Sequence, residues 1–274
     1  MNTTAANYTA TLQAATGGTV EFNTGTWTTN NKAIAIGSAG NAGMVKLSNN
    51  IATSGGINVN YGTLALNSTF TGGNLTVASG ATLSGTGSIS GAVTINGGIL
   101  APGNSIESLL VNGALTLNDG STFAYEMDSS ETNKSIAADF QRVFGNLALN
   151  GTVKLDLSDL AATPKAFAPN TTLTLINYVG SLSGGFFYGA TPSRLNDGDT
   201  LIAGLNTWKI SYGATTGGLN FATEYDHGVD SKFINLTLTA IPEPGSLLAL
   251  GCLVGSGAFL RTRKSWSARR PCCC

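Results

Sequence analysis

The chain has 274 residues, of which 42% are hydrophobic, so it can bury a core as one long domain or two small ones. Only 11% are charged, against roughly 25% in ordinary globular domains. The net charge of -1 hides an asymmetry: the last 14 residues carry Arg261, Arg263, Lys264, Arg269 and Arg270 and no acid, leaving nine basic against fifteen acidic side chains elsewhere. No basic patch in the body suggests nucleic acid as a partner. The four cysteines are Cys252 and Cys272 to Cys274, which excludes a disulfide framework or a CxxC metal site from the body. The 36 glycines, with abundant Thr, Ser, Asn, Ala and Leu, disfavour helix and favour strands joined by tight turns.

In chain order, residues 1–15 have neither a basic nor an apolar stretch of the secretory kind, so they are not a signal peptide. Residues 17–50 already alternate as strands: Thr19 to Phe22, Thr26 to Thr29, Ala33 to Gly37 and Met44 to Leu47. Residues 57–123 repeat one phrase, an apolar-x-apolar triplet, a glycine turn and another apolar residue. Ile57-Asn-Val59 leads to Gly62 and Leu64, and Leu75-Thr-Val77 to Gly80 and Leu83. Val93-Thr-Ile95 leads to Gly97 and Leu100, and Leu115-Thr-Leu117 to Gly120 and Phe123. The triplets start 18, 18 and 22 residues apart. A period near 20 built from short strands and turns predicts a β-solenoid, in which each coil completes the core of its neighbours. Stacked at about 4.8 Å, residues 17–123 would form a rod on the order of 25 Å long. Gly80, Gly85, Gly87, Gly91, Gly97, Gly98 and Gly103 mark its corners, where a positive φ is often needed.

Residues 125–144 gather Glu126, Asp128, Glu131 and Asp139 and read as an excursion, with a short helix over 135–143. Leu147 to Leu149 and Val153 to Leu157 return to the coil pattern. Residues 172–179 form an apolar strand, and Thr200 to Ile202, Thr207 to Tyr212 and Phe233 to Thr239 alternate as antiparallel strands. This region is expected to cap the open sheet edge of the last coil. The expected organisation is an array over 1–123, its continuation with a β-rich cap over 124–240, a tail segment over 241–264 and a basic, cysteine-terminated end over 265–274.

Pro242-Glu243-Pro244 cannot continue a strand, because two N–H donors are missing. Gly245 to Leu260 follows as 16 uncharged residues, closed by the basic stop Arg261, Arg263 and Lys264. As a single hydrophobic helix it reaches about 24 Å, and with its flanks and snorkelling arginines it can span a bilayer core of about 30 Å. The positive-inside tendency then leaves the body outside the cytoplasm.

The order Pro-Glu-Pro, apolar segment, basic cluster resembles the PEP-CTERM sorting signal of exported bacterial proteins. The resemblance implies an exosortase as processing partner, cleavage at or near Pro242, Glu243 and Pro244, transient residence in the inner membrane, and extracellular polysaccharide as a possible partner. The ten residues from Ser265 onward depart from that pattern. The runs Asn74-Leu-Thr-Val-Ala-Ser-Gly-Ala-Thr-Leu-Ser-Gly-Thr-Gly-Ser-Ile-Ser-Gly91 and Leu100-Ala-Pro-Gly-Asn-Ser105 resemble the autotransporter-associated β-strand repeat, or passenger-associated transport repeat. That resemblance implies an all-β, right-handed parallel β-helix. Proteins of these kinds carry a secretory leader, so a leader upstream of Met1 is expected.

No catalytic, metal or cofactor site is expected. Glu107 is the one charged residue between Gly55 and Asn118, and glycoside hydrolysis usually takes two carboxylates. Glu126, Asp128 and Glu131 read as a calcium site, as a carboxylate pair or as a solvated excursion. The last is favoured, because calcium takes about six or more oxygens and no EF-hand spacing is present. Asn196-Asp197-Gly198-Asp199 reads as a turn. His227, the one histidine, lies beside Asp226 and near Ser231 without a nucleophile elbow. Trp27, Trp208, Tyr212 and Tyr225 could stack on sugars but suit packing of strand faces. Cys252 is not placed as a lipobox, and Cys272 to Cys274 have poor ligand geometry. The expectation is a non-enzymatic, exported surface or matrix rod. A carbohydrate-active β-helix enzyme and an unprocessed membrane-anchored protein are the alternatives.

Overall fold

The computed structural model describes residues 10–29, 31–225, 228 and 230–239. From Ala10 to Tyr178 the chain winds into seven three-sided coils, the parallel β-helix expected from the repeat. The first face is built by Ala10–Leu12, Ile34–Ile36, Ile57–Val59, Leu75–Val77, Val93–Ile95, Leu115–Leu117 and the start of Leu147–Asp159. The second face is built by Thr19–Phe22, Met44–Leu47, Thr63–Leu66, Thr82–Gly85, Ile99–Pro102, Thr122–Met127 and the rest of Leu147–Asp159. That last strand runs through both faces and joins them into one 15-stranded sheet. The third face belongs to a 10-stranded sheet and carries Trp27–Thr29, Ile51–Thr53, Thr69–Gly72, Ser88–Ile89, Ser108–Val111, Phe140–Val143 and Thr172–Tyr178. At about 4.8 Å per coil the stack is about 30 Å long.

The phrase read from the sequence is two of these three faces. Ile57, Leu75, Val93, Leu115 and Leu147 lie in register as one buried column. Leu64, Leu83, Leu100 and Phe123 form a second. The triplets alternate buried, half-buried, buried, because successive side chains on a strand point to opposite faces. The third face carries a column of its own, Ile51, Phe70, Ile89 and Val111. It has no triplet phrase, and one of its strands is only the two residues Ser88–Ile89.

Outside, polar side chains stack. Asn118 Nδ2 donates to Asn96 Oδ1 at 2.7 Å and Asn150 Nδ2 to Asn118 Oδ1 at 3.0 Å. At corners, Asn side chains accept from the backbone of the next coil, as Ala92 N–H does on Asn74 Oδ1 at 3.1 Å. Such bonds satisfy the backbone where the ladders are interrupted. Two kinds of corner glycine emerge. Gly80 has φ +76° and open space around a would-be Cβ, so its requirement is conformational. A Cβ on Gly91 would sit 2.3 Å from the carbonyl oxygen of Gly73, so its requirement is the close approach of the coil below.

The excursion over 125–144 is smaller than expected. The short helix over 135–143 is replaced by one 3-10 turn, Lys134–Ile136, and by a solenoid strand, Phe140–Val143. Tyr125 and Met127 are core residues of the second face. Helix propensity loses here because Val143 fills the third-face column below Val111.

The β-rich cap forms as expected. Lys232–Leu238 pairs antiparallel with the last third-face strand, Thr172–Tyr178, and is followed outward by Asn206–Ala214 and Thr200–Ala203. Leu182–Tyr188 covers Leu147–Asp159 in parallel register. The connection after Ala214 folds back over the third face, where Phe140 packs against Phe221 and Tyr225 at ring centroids 6.0 and 5.0 Å apart. A buried polar clasp fixes it. Asn220 Nδ2 donates to the carbonyls of Asp139 (2.7 Å) and Thr174 (2.9 Å), and its Oδ1 accepts from Thr174 N–H at 2.7 Å. Tyr125 and Tyr225 hydroxyls join the same cluster. Among the described residues no helix is long and apolar enough to cross a membrane. The hydrophobic helix expected over Gly245 to Leu260 lies outside the described residues.

Candidate functional site

The acids that looked like a cluster each serve their own turn. Asp128 Oδ1 accepts from Ser130 N–H at 2.8 Å and Ser130 Oγ at 2.5 Å. The Ser130 hydroxyl bond is the main cause that lowers its pKa. Glu131 Oε1 accepts from Asn133 N–H at 2.8 Å, and Lys134 Nζ returns to the Glu131 carbonyl. No group of three or more His, Cys, Asp or Glu side chains among the described residues is placed to hold a metal ion.

Among the described residues Asp139 is a carboxylate that the fold buries, at 1% exposure. Its Oδ2 accepts from Glu126 N–H at 2.8 Å and its Oδ1 from Glu107 N–H at 3.2 Å. Desolvation raises its carboxyl to about 8, against the lowering effect of those two N–H bonds. The neighbouring Glu126 and Glu107 carboxylates push it further up. Asp139 also borders a cleft of about 410 Å³ with Lys46, Ser84, Asn104 and Glu126. Both of its oxygens are held by backbone, so it ties the second face to the approach of the third. No nucleophile is paired with a base there.

The remaining sequence candidates are mostly structural. Trp208 is fully buried and packs edge-on against Phe167 at 5.3 Å. Tyr225 is in the clasp, and the Tyr212 hydroxyl accepts from Phe186 N–H at 3.0 Å. Trp27 packs edge-on against Phe22 at 4.6 Å. In 196–199, Asp199 Oδ2 accepts from Asn196 N–H at 2.7 Å, and Asp197 Oδ1 accepts from Tyr212 N–H at 2.7 Å, which ties the turn to the strand Asn206–Ala214. Ser231 is buried and accepts from Asn177 Nδ2 at 2.7 Å. Asp226, His227, Pro242, Glu243, Pro244, Arg261, Arg263, Lys264, Cys252 and Cys272 to Cys274 lie outside the described residues.

One constellation was missed by sequence reading. A cleft of about 480 Å³ opens on the outside of the third face and its corner with the second. Its floor carries Thr69, Ser88, Ser108 and Leu110, one wall carries Asn67, Ser68, Thr86 and Gly87, and the other carries Arg142 and Glu224. Arg142 Nη1 lies 3.4 Å from Glu224 Oε2, and the same oxygen accepts from Ser108 Oγ at 2.6 Å. The guanidinium sits 5.4 Å from the centroid of the Phe144 ring, which orients it. Glu224 arrives on the 3-10 turn Ala222–Glu224 of the connection that folds back from the cap. Its partners are 82 and 116 residues away in the chain, and no spacing rule reaches that far.

No family model matches the chain. Over 141 residues, 51% of its length, it is 33% identical to the "Adhesin BmaC autotransporter" of Brucella suis biovar 1 (strain 1330). The chain spans 4% of the length of that curated relative.

Proposed function

We propose that this chain is an exported surface or extracellular-matrix protein whose β-solenoid acts as a non-enzymatic adhesive rod. The observation that carries the reading is the seven-coil stack with an almost uncharged outer surface of Asn, Thr and Ser ladders. Such a surface offers many weak, repeated hydrogen-bonding contacts and no strong field, which suits multivalent attachment more than turnover. The likeness of half the chain to an autotransporter adhesin supports the same reading. Purified full-length protein incubated with a polysaccharide panel is expected to release no reducing ends or unsaturated products; turnover that disappears in Glu126→Gln would establish the enzyme reading instead.

The tail completes the proposal. Pro242-Glu243-Pro244, the uncharged run from Gly245 to Leu260 and the stop at Arg261, Arg263 and Lys264 form a sorting signal. It holds the protein in the inner membrane until an exosortase cuts near the Pro-Glu-Pro motif, after which the body reaches the surface or matrix. Expression with and without an exosortase tests this step. Shortening of the chain only in its presence is expected, and one uncut, membrane-bound species in both strains would make the protein a plain anchored one.

A further inference from the structure

We propose that the cleft between the third face and the folded-back cap connection is a binding site for a neutral saccharide. Four observations converge on that ligand class. The cleft, about 480 Å³, has the size of a small-ligand site. Its polar lining is hydroxyl and amide, with Leu110 as the main apolar side chain, which disfavours an apolar ligand. Its only charges among the described residues, Arg142 and Glu224, offset each other at 3.4 Å, so they present no net field to an anion or a cation. The third-face strands beneath it are all paired on both sides, so it has no free edge for a peptide to extend. What remains is a ligand rich in hydroxyl groups, each both donor and acceptor, and the cleft offers both in quantity.

The Arg142–Glu224 pair is the specific part. Both side chains are mostly sheltered, with 22% and 35% of their surface exposed. Glu224 uses one oxygen, Oε2, for both Ser108 and Arg142, and its second oxygen meets no protein donor among the described residues. Arg142 Nε is closed off inside the protein, so the capacity the pair turns to a ligand is the partly exposed remainder of the guanidinium and the second Glu224 oxygen. A guanidinium and a carboxylate held side by side with spare bonding capacity can engage adjacent hydroxyls of one sugar ring. The pair costs little to preorganise, because Phe144 and Ser108 already fix its geometry. The site exists only because the cap connection folds back, so the cap finishes the solenoid and also brings Glu224 to this recess.

This inference rests on the reading of the body as an adhesive module and gives that module a defined contact. Full-length protein is titrated calorimetrically with β-1,4- and β-1,3-linked glucose hexasaccharides, and with a galacturonic acid hexasaccharide as the charged comparison. Binding of a neutral oligosaccharide is expected, weakened about tenfold or more by Glu224→Gln and by Ser108→Ala. Thr86→Phe, at an exposed position on the cleft wall, is expected to block binding without touching the ion pair or the core. Asn118→Ala, in the outer ladder away from the cleft, is expected to leave it unchanged. Loss on Asn118→Ala with the cleft variants silent would overturn the site while leaving the adhesive reading intact. Binding of the galacturonic acid oligosaccharide alone, or of none of the three, would overturn the assignment to neutral saccharides; retained surface attachment by the whole protein would then still support adhesion.

Discussion

Single positions in this molecule matter for reasons that a coil seen alone conceals. Gly91 and Gly80 are both corner glycines, yet a methyl group at Gly91 meets the Gly73 carbonyl at 2.3 Å while at Gly80 it meets nothing. Gly80→Ala is therefore expected to cost about 1–2 kcal/mol of left-handed backbone strain. Gly91→Ala is expected to cost clearly more, since two coils must part; urea midpoints of the two variants check the order. Asn220 is fully buried, and its amide serves Thr174 N–H and the carbonyls of Asp139 and Thr174. Asn220→Ala leaves the Thr174 N–H and the Asp139 carbonyl without this partner, while the Thr174 carbonyl keeps the Tyr125 hydroxyl, and is expected to cost about 1–3 kcal/mol, read by thermal or urea unfolding. Asp139 sets a pH dependence. Its carboxyl is raised to about 8 in the fold, so the folded state holds a proton that the unfolded chain, with an ordinary carboxylate near pH 4, releases. The stabilisation from that proton is complete below about pH 4 and is lost as the pH rises toward about 8. The slope is about 1.4 kcal/mol per pH unit within the window for this group alone. Asp139→Asn is expected to flatten the profile between about pH 5 and 8, and an unchanged slope in the variant would remove Asp139 as its source.

At the scale of elements, the solenoid is stable because each strand is sandwiched, and the ends are where that fails. Thr172–Tyr178 would be a bare, apolar edge without Lys232–Leu238 laid against it. An exposed edge of this kind recruits further strands. Truncation after Gly180 is expected to convert a monodisperse protein into one that aggregates, as size-exclusion chromatography would report. A soluble monomer from that truncation would mean that the cap is not needed to protect the edge. The cap was legible in the sequence as alternating strands over 200–239. Its fold-back connection was not, because Phe221, Tyr225 and Asn220 act through contacts with Phe140, Thr174 and Tyr125 from coils far away in the chain.

Across the whole molecule, charge contributes little to holding the body together. Three ion pairs occur among the described residues, Lys46–Glu21, Arg142–Glu224 and Lys154–Asp156, and all are at least partly exposed. Exposed pairs contribute about 0–1 kcal/mol each and are screened by salt. The unfolding midpoint is therefore expected to move little between about 0.01 and 1 M NaCl, and a steep salt dependence would mean that electrostatics holds the stack together. Stability instead comes from continuous apolar columns and nearest-neighbour coil contacts, the linear arrangement of a repeat protein.

The sequence by itself determined the repeat, the alternation of every triplet, and the inward columns of two faces. These follow from local periodicity, which a strand expresses wherever it lies. It also carried the alternating strands of the cap. Only the tertiary structure decided the third face as a face: Thr172–Tyr178 read as a strand in the sequence, but Ile51–Thr53, Thr69–Gly72 and Ser88–Ile89 carry no repeated phrase. It alone decided that Phe140–Val143 is a strand, that Asp139 is buried, and that Arg142 meets Glu224 and Ser108. Those outcomes depend on which coil lies above and what folds back from the cap. They are set by packing between residues 32 to 116 positions apart, a distance at which sequence pattern carries no signal.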